Sequence, residues 1–146
     1  MATVSVRYIV DDVDAAIEFY CRHLGFEEVM HPAPGFAMLT RGPLRLALSA
    51  PGAGPGGGQP MPDGTLPRPG GWSRFMLETK DIESSIETLR RRGVRFRNEL
   101  VVGIGGKQIL VEDPSGNAIE LFEPTRAEAA LDRGGDEETG DDWRMP

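Results

Sequence analysis

The sequence has a single cysteine, Cys21, so no disulfide can form within the chain. A lone thiol suits a reducing compartment, and a cytoplasmic location is the expectation. Cys21 falls within a helical pattern, where packing is its expected role. Histidine is almost as scarce. His23 and His31 are the only two, at a helix end and a strand end, and both read as surface or loop residues. No apolar run approaches the roughly 18 residues that a membrane span needs. The opening MATVSVRYIV lacks a basic segment followed by an apolar stretch, so no secretory signal and no membrane partner are expected. Positive charge is in deficit too, with a formal net charge of −7. A phosphate backbone calls for a basic face, which excludes nucleic acid as the expected partner. Residues 125–146 hold seven acids and three arginines, so that tail accounts for −4 and the rest of the chain for −3.

What is abundant is glycine and proline in one place. Residues 50–71 contain 14 of these among 22 positions. Neither a helix nor a central strand continues through such a stretch. It reads as a crossover between a first module (1–49) and a second (72–124), with a second role open to it as a flap over a pocket. An acidic tail, 125–146, follows. In it Arg126 to Leu131 has helical composition, Gly134 to Asp142 is expected to be disordered, and Trp143 is the one feature that could anchor it.

The flanks of the crossover repeat each other. An offset of 69 lays Asp12-Val13 on Asp81-Ile82 and Ile17 on Ile86. In each module an alternating strand (Val4, Val6, Tyr8, Val10; Phe75, Leu77, Thr79) leads to a helix with an acidic first turn. Val13, Ile17 and Tyr20 form one apolar stripe, and Ile82, Ile86 and Leu89 the other; Gly25 and Gly93 stop the helices. The run Arg90-Arg91-Arg92 suits a solvated helix C-terminus. Three strands follow each helix, roughly 26–31, 35–41 and 43–49, then 94–102, 106–113 and 117–123. The pattern is βαβββ twice, an α+β fold. Such a short repeated unit needs its twin to bury an apolar face. Gly103-Ile104-Gly105-Gly106-Lys107-Gln108 lacks the order of a phosphate-binding loop and reads as a glycine hairpin, with Lys107 and Gln108 near a pocket rim.

Two segments carry a family likeness. Asp12-Val13-Asp14-Ala15-Ala16-Ile17-Glu18-Phe19-Tyr20, with Leu24-Gly25-Phe26 after it, is one. The other runs from Val111 through Asp113-Pro114-Ser115-Gly116-Asn117 to Glu123. Over residues 3–124 the chain resembles the vicinal oxygen chelate superfamily, which contains glyoxalase I, bleomycin-resistance proteins, fosfomycin-resistance enzymes and extradiol dioxygenases. The resemblance implies that the two βαβββ modules form an open, eight-stranded, barrel-like sheet with a central pocket. It also implies a twofold homodimer. The scaffold hosts lyases, transferases, dioxygenases and binding proteins, so it does not by itself select a chemistry.

In that superfamily, metal ligands usually come from the first and fourth strands of each half. Carried over by position, they fall at Ser5, Arg74, Glu120 and a site near Leu46 or Ala47. Only Glu120 keeps a ligand type. Serine is a poor ligand, and an arginine offers no lone pair and repels a cation. Catalytic zinc or iron sites need about three protein ligands, so no metal and no other cofactor are expected.

Strand alternation turns Val4, Val6 and Val10 toward the helix and Ser5, Arg7 and Ile9 toward the cavity. In the second module Phe75 and Leu77 face the helix, and Arg74, Met76 and Glu78 the cavity. Glu120 and Phe122 point inward from the last strand. Arg74 and Glu120 are expected to form an ion pair where the metal would have been. That pair is either a simple replacement for the metal or a functional couple, with Arg74 receiving an anionic or carbonyl oxygen or Glu120 acting as a base. Burial would raise the pKa of Glu120 and the arginine would lower it, so the two effects oppose each other. Trp72 is either a stacking wall for a planar ligand or a core aromatic. Asn98 either faces the pocket or caps an edge. Met30, Met38, Met61 and Met76 would make an adaptable lining if they faced inward.

Three functions remain open. One is a metal-free binding protein for a small molecule, such as an antibiotic or a planar, anionic metabolite, with Ser5, Arg7, Trp72, Met76, Glu78, Gln108 and Phe122 in contact with it. The second is a metal-free enzyme with Arg74 and Glu120 as its catalytic residues. The third is a lyase or dioxygenase whose atypical divalent-metal site includes Glu120, with Glu78 or a partner chain as the candidates for its further ligands.

Overall fold

A computed structural model describes residues 4–53 and 57–130. The chain divides into two compact units, residues 1–72 with 113–117, and residues 73–112 with 118–146. The first is a βαβββ module and the second follows the same plan with one strand more, and each builds its own open, mixed sheet.

In the first unit, β1 (Val4–Ile9) leads to α1 (Val13–Leu24), and β2 (Glu27–Ala33), β3 (Phe36–Arg41) and β4 (Leu44–Ser49) follow. The sheet order is β1-β4-β3-β2, with β1 parallel to β4 and the other pairs antiparallel. Asp12 starts α1 by accepting the Ala15 N–H at 3.1 Å. Gly25 ends it at φ 74°, a left-handed conformation that favours glycine. Val13, Ala16, Tyr20 and Leu24 of α1 are buried with Ala37, Leu39, Leu46 and Leu48 of the sheet. The expected helix-facing side of β1 needs one correction: Val4, the first residue of the strand, is 62% exposed.

In the second unit, β5 (Met76–Glu78) precedes α2 (Ile82–Arg91), β6 (Arg95–Phe96), β7 (Val101–Val102), β8 (Gly106–Glu112) and β9 (Ala118–Pro124). The order β5-β9-β8-β6 repeats that of the first sheet, and β7 also pairs with β8. Asp81 caps α2 through the Ser84 N–H at 3.1 Å, and the Glu123 carboxylate takes the Ile82 N–H at 2.8 Å.

The strand expected over 94–102 is two short strands instead. Asn98 is the reason. Its Oδ1 accepts the Leu110 N–H at 2.9 Å, so a side chain replaces a ladder carbonyl and the backbone leaves register. The second sheet therefore has five strands where four were expected. The 103–106 segment is the expected glycine hairpin, closed by Gly103 N–H to Gly106 O at 2.8 Å. After β9, the helical composition of the tail yields only a short 3-10 turn, Ala127–Ala129. The disorder expected for 134–142 and the anchor at Trp143 lie outside the described residues.

The turn between β8 and β9 is part of the first unit and forms a buried polar knot there. Asp113 is fully buried. Its carboxylate accepts the Tyr20 hydroxyl at 2.8 Å, Asn117 Nδ2 at 3.0 Å, and the Ser115 and Asn117 N–H groups at 2.9 Å each. Asn117 Nδ2 also donates to Ile9 O at 2.8 Å, and its Oδ1 accepts the Gly70 N–H at 2.7 Å. Burial, then the Asp113 charge, hold the Tyr20 hydroxyl well above the ordinary tyrosine pKa. The Asp-Pro-Ser-Gly-Asn motif thus has a structural cause: it satisfies a buried charge with fixed donors.

Candidate functional site

Cross-strand register decides which side chains share a sheet face. In the second unit Met76, Glu120 and Leu110 lie in one row, and Glu78, Phe122 and Gln108 in the next. These rows occupy the face turned away from α2. Leu77, Leu121 and Ile109 alternate with them and are buried on the other face. Five of the expected site residues therefore share one surface, and Arg74, just before β5, reaches it.

Arg74 Nε and Nη2 lie 3.0 and 2.9 Å from Glu120 Oε1. Both N–H groups converge on one oxygen rather than dividing between two. The Glu120 side chain is only 6% exposed and that of Arg74 29%, so the carboxylate is buried under its cation. This is the expected ion pair. Beside it Glu78 is buried as well, Met76 is 51% exposed, and Gln108 and Phe122 are half-buried.

In the first unit the corresponding rows are Ser5–Arg45–Thr40, Arg7–Ala47–Met38–Met30 and Ile9–Ser49–Phe36–Ala33. The pairing of Arg7 with Ala47 matches that of Met76 with Glu120, so Ala47, not Leu46, is the twin of Glu120. Leu46 belongs to the helix face and is fully buried. Arg7 Nη1 donates to Ser49 Oγ at 2.9 Å. Gly57, from the glycine-rich crossover, lies against the far end of the Arg7 side chain, which would have to shift if Gly57 carried a Cβ.

The remaining candidates separate. Trp72 is 70% exposed and is no core aromatic. Met30 and Met38 share a row, and Met61 is exposed in the crossover. His23 lies against the Phe19 ring, and His31 Nε2 stands 3.7 Å from Asp14, so both belong to the surroundings of α1. Cys21 is half-buried. Burial pushes its thiol pKa up, with Glu28 and Glu27 adding to the effect, which leaves it a poor nucleophile. Open grooves lie elsewhere among the described residues. One of about 390 Å³ is lined by Glu83, Ile86, Glu87, Arg90, Glu99, Leu100 and Ile109, and one of about 440 Å³ by Asp11, Pro51 and residues 64–69. Neither includes Arg74 or Glu120.

The superfamily's metal can be tested against this donor set. Its ligand positions carry Ser5, Ala47, Arg74 and Glu120. The one carboxylate among them already holds a guanidinium. Among the described residues no group of three or more His, Cys, Asp and Glu side chains is placed to hold a metal ion. The residues at these positions do not fit a divalent metal.

Sequence reasoning missed Arg45 and Ser49, although alternation from Leu46 and Leu48 would have placed both on the open face. It also missed Arg41, which is 4% exposed with Nε and Nη1 buried and without a hydrogen-bond partner among the described residues. Burial lowers its pKa to about 10, so it remains a cation at neutral pH.

Two linked βαβββ modules with an open sheet face in each define a class of small α+β proteins. The family model described as the Glyoxalase/Bleomycin resistance protein/Dioxygenase superfamily matches residues 3–121. The chain belongs to that superfamily. A member of it from Sphaerobacter thermophilus DSM 20745 is 30% identical, with a TM-score of 0.66 over 84% of this chain and 97% of that one. TnmS3, an antibiotic binding protein from Streptomyces sp. CB03234, is 23% identical, with a TM-score of 0.65 over 86% and 97% of the two chains. A lactoylglutathione lyase from Agrobacterium tumefaciens is 21% identical, with a TM-score of 0.65 over 84% and 92%. The last two likenesses show the fold alone. No curated protein matches the chain significantly.

Proposed function

We propose that this protein binds a small organic molecule, planar or anionic, without a metal at the superfamily's ligand positions. One observation carries the reading: Arg74 places two N–H donors at 3.0 and 2.9 Å on Glu120 Oε1 and so occupies the one carboxylate a metal could have used. A guanidinium at that place selects a carboxylate, enolate or carbonyl oxygen, not a cation. Met76, Phe122 and Leu110 supply apolar surface beside it, with Glu78 and Gln108 as polar neighbours. The fold shared with an antibiotic binding protein supports sequestration of an antibiotic-like ligand. A homodimer in the cytoplasm is part of this reading, and the single cysteine is consistent with it.

Elemental analysis of untagged protein, followed by titration with manganese, nickel, zinc and ferrous iron, tests it. The expected result is less than about a tenth of an equivalent of metal and no saturable uptake. One tightly held equivalent that is lost in Glu120→Gln would overturn it.

A second reading has its own observation. Both arginine donors engage Oε1, which leaves Oε2 to face a substrate as a proton acceptor. In that case the protein is a metal-free enzyme with Glu120 as base and Arg74 as the oxyanion partner. Exchange of a substrate C–H with deuterated solvent, abolished in Glu120→Gln, would identify it.

A further inference from the structure

The face of the first sheet turned away from α1 carries positive charge that no carboxylate among the described residues pairs with. Arg7 on β1 and Arg45 on β4 project from the same side, because Ser5 pairs with Arg45 and Arg7 with Ala47. They are diagonal neighbours on adjacent strands, where like charges repel. Neither has an acidic partner among the described residues; Arg7 donates only to the neutral Ser49 hydroxyl. In the row of Arg45, the carboxylate is Glu27. It lies two strands away, about 10 Å by strand spacing, and makes no ion pair with Arg45. The Ser5 hydroxyl stands in the row of Arg45, and that of Ser49 in the row next to that of Arg7. The Arg45 row continues to Thr40, the Arg7 row through Ala47 to Met38, and Phe36 follows Ser49 in the third row.

We infer that this face of the first unit is a binding site for an aromatic carboxylate, with Arg7 and Arg45 holding the anion and Met38 and Phe36, both half-buried, receiving the ring. Two guanidinium groups with flanking hydroxyls supply several N–H and O–H donors and no competing acceptor charge. The flexible methionine and the aromatic side chain adapt to a flat apolar body. The inference rests on the small-molecule reading above and assigns its ligand a chemical class and a place distinct from the Arg74–Glu120 pair.

Isothermal titration of the full chain with 2-naphthoate, and with 2-naphthamide as the neutral isostere, tests it. The expected result is saturable uptake of naphthoate, weakened by added salt, and at least tenfold weaker uptake of the amide. Arg45→Gln and Arg7→Gln should each lower naphthoate affinity at least tenfold with unchanged far-UV circular dichroism, and Arg45→Lys should restore part of it. Equal binding of the two probes would overturn the anion site while leaving small-molecule binding intact. Naphthoate binding that survives in Arg7→Gln and Arg45→Gln but is lost in Arg74→Gln would overturn it by moving the anion to the second unit. No binding of either probe would overturn it as well, and the metal titration then judges the underlying reading independently.

Discussion

The two units carry the same scaffold but resolve the charge on their open faces in opposite ways. In the second, the arginine before the first strand is matched by a buried acid on the last, Arg74 on Glu120. In the first, the position of that acid is Ala47, and Arg7 and Arg45 stand on the face with serine hydroxyls around them. A duplicated fold therefore keeps its hydrophobic alternation, which every module needs, while its polar positions diverge. One face is closed electrostatically and the other is left open to an anion.

The largest expected effect concerns the polar knot that only the first unit possesses. Asp113→Ala removes one acceptor from the Tyr20 hydroxyl, Asn117 Nδ2 and two backbone N–H groups. A loss of about 3–5 kcal/mol in unfolding free energy is expected from chemical denaturation. Tyr20 adds a pH dependence. Its folded pKa is raised above 10.0, so above that pH the unfolded chain loses the proton first and stability falls as pH rises. Its contribution is fully present below pH 10 and is lost through the folded pKa. The difference between wild type and Tyr20→Phe, followed by thermal unfolding across alkaline pH, should isolate this slope; a constant difference would refute it.

The Arg74–Glu120 pair should respond asymmetrically. Arg74→Met leaves a buried carboxylate without its cation and should cost about 3 kcal/mol. Glu120→Gln leaves a partly exposed guanidinium and should cost about 1 kcal/mol. The double variant Arg74→Met/Glu120→Leu should recover most of the loss, and a double-mutant cycle measures how much. Equal single effects would mean that the pair is not buried as described.

Arg41 offers the reverse test in the first unit. It is a buried cation without a partner for Nε and Nη1 among the described residues. Arg41→Met keeps most of its volume and removes the desolvation cost, so a gain of about 1–2 kcal/mol is expected in thermal or urea unfolding. Destabilisation instead would show that the guanidinium is held by something other than the described residues.

The smallest effects compare the two helix starts. Asp12→Ala and Asp81→Ala each remove one cap bond, worth about 1 kcal/mol. The loss at Asp81 should be the lesser, because Glu123 holds the Ile82 N–H independently. Equal losses would show that Glu123 contributes nothing to the start of α2.

The fold was largely legible because it rests on local signals: the acidic first turns and apolar stripes of both helices, the alternating strands and the offset of 69 between modules. The ion pair at the site was legible too, since position in a repeated unit placed Arg74 and Glu120 together. Other features required the folded chain. The sequence leaves Asn98 open between facing the pocket and capping an edge, and only the fold sets its Oδ1 on the Leu110 N–H. Leu46 and Ala47 could not be separated without cross-strand register. Arg41 and Arg45 are two arginines four residues apart, one buried and one exposed, and only the sheet decides which is which. By itself the sequence determined the elements, their order and the repeat, because these depend on neighbours within a few residues. The tertiary structure decided which charges meet, which stay unmatched and why the 113–117 turn belongs to the first unit, because those depend on partners up to 108 positions away.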